Sequence, residues 1–156
     1  MRCNGVAAIF IAGLLAGLAS PVNAQTATDS ASVTAFYGEW FGSARQGPDR
    51  YASFYAVDGM VLPPSAQPAV GREAIAAWLV QAQAASPFTA RPEGITVNEM
   101  RFLSPGWVIY RSTLRGQRVP KAGGDPVPFE TKYMDLLHRT DAGRWEVVYR
   151  MWSDDR

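Results

Sequence analysis

The segment from Tyr55 to Leu79 sets the order of structural parts in the middle of the chain. An aromatic-rich helix end runs into Asp58-Gly59, and a short apolar strand, Met60–Leu62, then stops at Pro63-Pro64. A polar loop leads to Gly71, where an amphipathic helix opens. This order indicates an α+β fold in which helices pack against a sheet and leave a concave pocket.

Three N-terminal helices are predicted ahead of the long strands. Apolar residues recur at helical spacing from Val33 to Ala44 and form one continuous stripe. Pro48 is well placed to start a short second helix, whose apolar face ends at Tyr55. The third helix follows Gly71 and ends at Ser86-Pro87.

The second half of the chain is predicted to form four long strands. They cover Ile95–Leu103, Trp107–Arg115, Phe129–Arg139 and Arg144–Ser153. Thr140–Gly143 forms a tight hairpin connection between the last two, with glycine at its end. The fold class is therefore α+β, with three N-terminal helices packed in a curved antiparallel sheet.

The N-terminus has the layout of a secretory signal peptide. Arg2 precedes an apolar run, Val6–Leu18, and a helix-breaking segment ends in Ala24. We expect cleavage after Ala24, export to the periplasm or medium, and a single mature domain over residues 25–156. An uncleaved membrane anchor is the alternative, although the apolar run is shorter than the roughly 20 residues that a span needs.

Charge and cysteine usage exclude several classes of function. Removing residues 1–24 takes away one basic residue, Arg2, and leaves 14 basic and 14 acidic residues. This balance argues against nucleic acid or an anionic membrane surface as a partner. Cys3 is the only cysteine and His138 the only histidine, so no metal site is expected. No phosphate-binding or nucleotide-binding motif is found, and no cofactor is expected.

Several segments resemble the NTF2-like superfamily, in particular its SnoaL-like and DUF4440-type pocket proteins. They are Tyr55–Gly59, Leu62–Pro64, Gly71–Ile75, Asp135–Arg139, Gly143–Val148 and Trp152–Asp154. The resemblance spans about Ser32 to Asp155 and implies a cone with one open mouth around an apolar pocket. Because this superfamily contains isomerases, dehydratases, polyketide cyclases and non-catalytic binding modules, the resemblance implies a fold and no particular reaction.

The residues of the ketosteroid isomerase branch are not matched here. Those enzymes combine an Asp general base with an oxyanion hole formed by a Tyr and a protonated Asp. The base position falls in Leu62–Pro64, where there is no carboxylate. The Tyr position falls near Trp40, with Tyr37 one turn earlier, and the second Asp position falls near Lys132. Ordinary steroid isomerisation is therefore not expected.

A ligand pocket is predicted inside the cone. Its expected lining residues are Tyr37, Trp40, Met60, Leu62, Trp78, Tyr110, Lys132, Met134, Arg150 and Trp152. Regular hairpin pairing would place Lys132 and Met134 beside Arg150 and Trp152, with two cations able to bind a carboxylate, enolate or phenolate. The alternative is that both cations lie at the rim and pair with neighbouring carboxylates in solvent.

Asp58 and Tyr110 are the candidates for a catalytic role. Asp58 lies beside Gly59, and turn chemistry alone explains a carboxylate at such a position. Tyr110 is expected on a strand that faces the first helix. A catalytic carboxylate would need to lie deep in the pocket, with a pKa changed by its surroundings.

Three functions are compatible with the sequence. The first is an exported pocket protein that binds a small hydrophobic or weakly anionic molecule. The second is an isomerase-, lyase- or cyclase-like enzyme that acts on a hydrophobic carbonyl compound. The third is a non-catalytic dimerisation module, because the last strand is apolar on both faces and a homodimer would cover the second face.

Overall fold

The computed structural model describes residues 21–154, with side chains from residue 27 onward, so most of the predicted signal peptide lies outside the described residues. The elements are α1 (Pro21–Ser43), a 3₁₀ turn (Ala44–Gln46), α2 (Pro48–Ala52), β1 (Tyr55–Leu62), β2 (Ala69–Val70), α3 (Arg72–Ala85), β3 (Phe88–Ser104), β4 (Trp107–Pro120), β5 (Val127–Arg139) and β6 (Trp145–Asp154). No helix in this part of the chain is both long and apolar enough to cross a bilayer.

The six strands form one sheet in the order β2-β1-β6-β5-β4-β3. Every neighbouring pair is antiparallel except β1 and β6, which run parallel. The pairing of β3 with β4 shifts register at three places, and such irregularities bend and twist a sheet. The curved sheet and the helices make up the predicted α+β fold.

The third helix, α3, follows β1 and precedes the four long strands, which is the order that the sequence predicted. The structure corrects two other details of the predicted architecture. Tyr55 does not belong to a helix, because α2 ends at Ala52 and Tyr55 pairs with Val147 as the first residue of β1. This parallel pairing with β6 also means that the sheet is not wholly antiparallel.

The apolar stripe of α1 forms one wall of the core. Val33, Tyr37 and Trp40 are buried against the sheet, as their helical spacing predicted. The middle of the helix is tied to the β5–β6 hairpin, where the Trp145 indole N–H donates to the Ser32 hydroxyl at 2.9 Å. These contacts hold the aromatic face of α1 over the middle of the sheet.

The β5–β6 hairpin contains the irregularity that matters most for the site. From the turn, Leu137 pairs with Val147 in regular register, but a shift between Leu136 and Leu137 then brings Asp135 opposite Arg150. Regular pairing would have placed Met134 there. The residue without a partner is Val148 on β6, so the bulge exchanges the two faces of β6 beyond it and turns Arg150 toward the core beside Asp135.

Candidate ligand-binding site

A row of side chains crosses the sheet beneath α1. Asp135 on β5 has two neighbours in the sheet, Tyr110 on β4 and Arg150 on β6. On its other side, Arg150 lies opposite Val61 on β1. All four are buried. The register therefore places a carboxylate and a guanidinium side by side in an otherwise aromatic interior.

The Asp135 carboxylate is held from two sides. The Tyr37 hydroxyl on α1 donates a hydrogen bond to Asp135 Oδ2, and Arg150 Nε lies 3.4 Å from Asp135 Oδ1. Burial raises the pKa of Asp135, while the charge of Arg150 and the Tyr37 hydrogen bond act in the opposite direction. Burial and the nearby carboxylate hold the pKa of Tyr37 well above its usual value.

The Arg150 guanidinium is enclosed by aromatic rings. Its Cζ lies 4.0 Å from the centre of the Tyr133 ring, 4.5 Å from Trp40 and 5.2 Å from Phe41. Nη1 donates a hydrogen bond of 2.5 Å to the Tyr51 hydroxyl. Burial alone would lower the pKa of this group, but its carboxylate partner and the surrounding tyrosines raise it well above the usual value.

Three polar atoms of this ion pair have no hydrogen-bond partner within the described part of the chain. They are Arg150 Nε, Arg150 Nη2 and Asp135 Oδ1, and all three are buried. The Nε to Oδ1 separation allows charge attraction without a well-formed hydrogen bond. Buried polar atoms are hydrogen-bonded in most proteins, so these three atoms have the capacity to bind a ligand atom or an ordered water.

A groove of about 1150 Å³ opens beside this cluster at one end of the fold. The ends of α1 and α3 form one side, while the start of β3 and the ends of β4 and β6 form the other. Its lining residues are Phe41, Ala44, Arg45, Leu79, Ala82, Gln83, Ser86, Phe88, Thr89, Ala90, Arg91, Pro92, Arg118, Lys121 and Asp154. The groove is slightly larger than the roughly 300–1,000 Å³ of typical small-molecule sites.

The groove combines an apolar surface with positive charge. Four of its lining residues are basic and one, Asp154, is acidic. Arg118 lies 3.4 Å from Asp154, which leaves an excess of cations. Within the described residues, Arg45 and Arg91 have no ion-pair partner. A smaller depression at the start of α3 contains one arginine and one glutamate and therefore has no such charge bias.

Six of the predicted pocket residues lie on the core side of the fold, but they pack against each other. Tyr37, Trp40, Tyr110 and Arg150 are buried. Trp78 and Trp152 are half-buried and contact each other, with ring centres 5.5 Å apart. None of the six lines the groove.

The other four predicted pocket residues face away from the core. Lys132 and Met134 lie on the outer face of β5, because this strand alternates without a break and Asp135 and Leu137 face the core. Met60 and Leu62 pair with Tyr149 and Met151 and share their outer face. The expected second cation beside Arg150 was therefore wrong: Lys132 is exposed and its Nζ lies 3.9 Å from Glu130.

The two catalytic candidates differ in their surroundings. Asp58 is exposed, in the irregular stretch of β1. Tyr110 is buried and stacks on Tyr37 with ring centres 3.6 Å apart. Sequence reasoning missed Asp135 and Phe41 as parts of the site. Asp135 would have been found from its opposite charge to Arg150 only if the bulge had been known.

The described residues contain no group of three or more histidine, cysteine, aspartate or glutamate side chains that could hold a metal ion. The ionisable groups of the site are the ion pair of Asp135 and Arg150, the tyrosines around it and the basic residues of the groove. This arrangement can bind a polar oxygen of an organic molecule through Arg150 or through the groove cations.

Solved structures with the same fold include three informative neighbours. A ketosteroid isomerase-like protein from Erwinia carotovora atroseptica has 20% identity and a TM-score of 0.71, with 81% of this chain and 95% of that chain covered. A protein from Catenulispora acidiphila, solved in complex with S-DNPA, has 22% identity and a TM-score of 0.66, with coverage of 83% and 95%. ActVI-ORFA from Streptomyces coelicolor has 23% identity and a TM-score of 0.66, with coverage of 81% and 96%.

The predicted NTF2-like fold is confirmed by these neighbours, which include ketosteroid isomerase-like proteins. No family model matches the sequence, and no curated protein matches it either. At this level of identity the likeness defines the fold alone, and the function has to be argued from the site.

Proposed function

We propose that this protein is an exported pocket protein that binds a small apolar molecule carrying a weakly anionic group such as a carboxylate. The observation that carries the proposal is the groove, where four basic side chains surround an apolar surface that includes Phe41, Leu79 and Phe88. Apolar surface provides affinity, at about 25 cal/mol per Å² removed from water. The basic residues provide the preference for an anion.

Two further points support a binding role. The size of the groove suits a small organic molecule. A neighbour with this fold has been solved in complex with S-DNPA, which supports ligand binding as a use of the fold. A purely structural module would have no need for an apolar groove with an excess of cations.

The test is calorimetric titration with 2-naphthoate and with its neutral analogue 2-naphthalenemethanol. We expect the carboxylate to bind about tenfold more tightly, because Arg91 and Arg118 favour it. The double variant Arg91→Gln/Arg118→Gln should lose this preference. The matched control is Arg101→Gln/Arg111→Gln, which removes two exposed arginines outside the groove and should leave it unchanged. Equal binding of both compounds, or no binding of either, would contradict the proposal.

The second candidate function is an isomerase-, lyase- or cyclase-like enzyme acting on a hydrophobic carbonyl compound. Asp135 favours it, because a buried carboxylate with a raised pKa beside Tyr37 has the properties of a general base. The test is deuterium exchange at the α-carbon of 2-tetralone, followed by NMR. Exchange that is faster than in buffer and is lost in Asp135→Asn, with the variant shown to be folded by circular dichroism, would establish an enzyme. Exchange at the buffer rate would leave binding as the function.

Export is part of the proposal and has its own test. Residues 1–24 have the layout of a signal peptide, and cleavage after Ala24 would make Gln25 the first residue of the mature protein. N-terminal sequencing of protein recovered from the extracytoplasmic fraction should give Gln25. Recovery of the chain in the cytoplasm with an intact N-terminus would contradict export.

A further inference from the structure

We propose that the groove continues behind Phe41 to a second, buried binding position, where Arg150 Nη2 donates a hydrogen bond to a carbonyl oxygen of the ligand. This inference rests on the proposed binding function and specifies its ligand as an apolar carbonyl compound. The anionic group of that compound would remain among the cations of the groove, and its ketone, ester or aldehyde oxygen would lie at Arg150.

The first argument is the unused hydrogen-bonding capacity of Arg150. Its side chain is 4% exposed, Nη1 is bound to Tyr51, and Nη2 has no partner among the described residues. A buried charged donor without an acceptor is unfavourable. Because buried donors are nearly always hydrogen-bonded, we take the acceptor for Nη2 to be an atom of the bound ligand.

The second argument is the position of Phe41. Three rings surround the guanidinium, and Phe41 is the one of them that also lines the groove. It is half-buried near the end of α1, two residues before Ser43, the last residue of the helix. A change of its side-chain rotamer would therefore connect the groove with the space beside Arg150.

The third argument concerns charge and selects the chemical class. The charge of Arg150 is already balanced by Asp135, whose carboxylate lies 3.4 Å away. A second carboxylate at this position would leave a net negative charge in a buried site, which is unfavourable. A neutral carbonyl oxygen accepts the hydrogen bond from Nη2 without adding charge. The aromatic rings around Arg150 match a flat, apolar group next to that oxygen.

The test compares 6-acetyl-2-naphthoate with 6-ethyl-2-naphthoate, which lacks the carbonyl oxygen. In the unmodified protein we expect the acetyl compound to bind about tenfold more tightly, as one hydrogen bond to a charged donor allows. The preference should disappear in Arg150→Lys and in Phe41→Trp, where a larger ring closes the connection. It should persist in the control Leu103→Trp, because Leu103 is exposed, does not line the groove and is far from the rings around Arg150.

A second measurement examines the buried position independently of the groove. In Phe41→Ala, acetone should shift the Arg150 Nε–H signal in ¹H–¹⁵N NMR spectra, a signal assigned by its loss in Arg150→Lys. If acetone leaves this signal unchanged in Phe41→Ala, or if the two naphthoates bind equally to the unmodified protein, the inference is overturned. If neither naphthoate binds but acetone shifts the signal, the proposed function fails and the buried position stands.

Discussion

The guanidinium of Arg150 and the carboxylate of Asp135 are both removed from water, so neither charge can be altered without consequences for the other. Their side chains are 4% and 0% exposed. Burying two charges is costly, and the cost is offset here by their attraction, by the bonds to Tyr37 and Tyr51 and by the surrounding rings. Removing one partner would leave a buried charge without compensation.

We therefore predict that Arg150→Met and Asp135→Asn each lower the free energy of unfolding by roughly 3–5 kcal/mol. The double variant should lose less than the sum of the two, because it leaves no unpaired charge. Urea unfolding measures all three. The control cycle uses the exposed pair Arg115 and Glu130, 2.7 Å apart, where a coupling of about 0–1 kcal/mol is expected. Additive losses at Asp135 and Arg150 would show that the two charges do not interact.

Because of the raised pKa of Asp135, this carboxyl group makes the stability of the protein fall with rising pH, whereas most carboxylates in folded proteins make it rise. Burial raises this pKa above the ordinary value of 3.8, so the folded state holds the proton more tightly than the unfolded state. Asp135 therefore stabilises the folded protein fully at pH values below its ordinary pKa. This stabilisation is lost as the pH rises through the pKa that Asp135 has in the folded state. The pKa of Glu99 is lowered by its hydrogen bond from Arg111, so Glu99 makes the stability of the folded protein rise with pH.

We expect the stability of the unmodified protein, relative to Asp135→Asn, to fall as the pH rises above 3.8, the ordinary pKa of this carboxyl group. The difference between the two proteins isolates Asp135, because both retain Glu99 and all other carboxylates. Urea midpoints measured across this range provide the comparison. A relative stability that rises with pH would mean that Arg150 outweighs burial and that the pKa of Asp135 is lowered.

At the scale of single residues, alternation along the strands predicted a buried Arg150 but the wrong neighbours. Lys132 and Met134 would have faced it if the hairpin were regular. One extra residue at the bulge replaced them with Asp135 and Tyr133. The extra residue is Val148 on β6, which no sequence feature marks as a bulge, so the ion pair could not be derived from the sequence.

At the scale of elements, the helical stripe of α1 and the four long strands were predictable because their patterns extend over many residues. The short segment at Tyr55 was not, since Tyr51, Phe54 and Tyr55 also fit one face of a helix. Pairing with β6 determines the conformation of this segment. The Val147 N–H donates to the Phe54 carbonyl at 3.0 Å, and Tyr55 therefore becomes part of the sheet. Such pairing overrides local preference in short segments.

Gly59 makes the close approach of β1 to β6 sensitive to substitution. A Cβ at this position would lie 2.8 Å from the Val147 carbonyl oxygen and 3.1 Å from the Ala56 nitrogen. We predict that Gly59→Ala lowers the free energy of unfolding by about 1–3 kcal/mol, because two backbone segments would have to move apart. Thermal and urea unfolding measure it.

The matched control is Gly38→Ala on the exposed side of α1, where nothing lies within 4 Å of the added Cβ. This change should be neutral or stabilise the protein by up to about 1 kcal/mol, since alanine is the better helix former. Equal effects of the two substitutions would show that β1 does not approach β6 as closely as described.

At the scale of the whole molecule, the outer face of the sheet carries the exposed apolar side chains Met134, Tyr149 and Met151. We predict a homodimer that covers this face, because burial of exposed apolar surface favours association. Sedimentation velocity should give a dimer, and Tyr149→Lys/Met151→Lys should give a monomer. Val57→Lys, which changes an apolar residue with 76% exposure on β1, is the control and should remain dimeric. A monomeric unmodified protein would contradict the prediction.

The sequence predicted an apolar pocket in a cone, but not where the open space lies. The predicted strands started at Ile95 and ended at Arg115, whereas β3 begins at Phe88 and β4 ends at Pro120. These extensions form one wall of the groove. They were missed because Pro92 and the glycines nearby are typical of strand ends. The predicted interior is instead filled by the aromatic side chains of α1 and the sheet.

The central claim is that the groove binds an apolar carboxylate, and a crystal structure of the protein with 2-naphthoate tests it most directly. We expect the ring to lie against Leu79 and Phe88, with the carboxylate within hydrogen-bond distance of one of the groove cations, which are Arg45, Arg91, Arg118 and Lys121. Density for the ligand outside this groove, or in the groove with its carboxylate turned away from all four cations, would contradict the account.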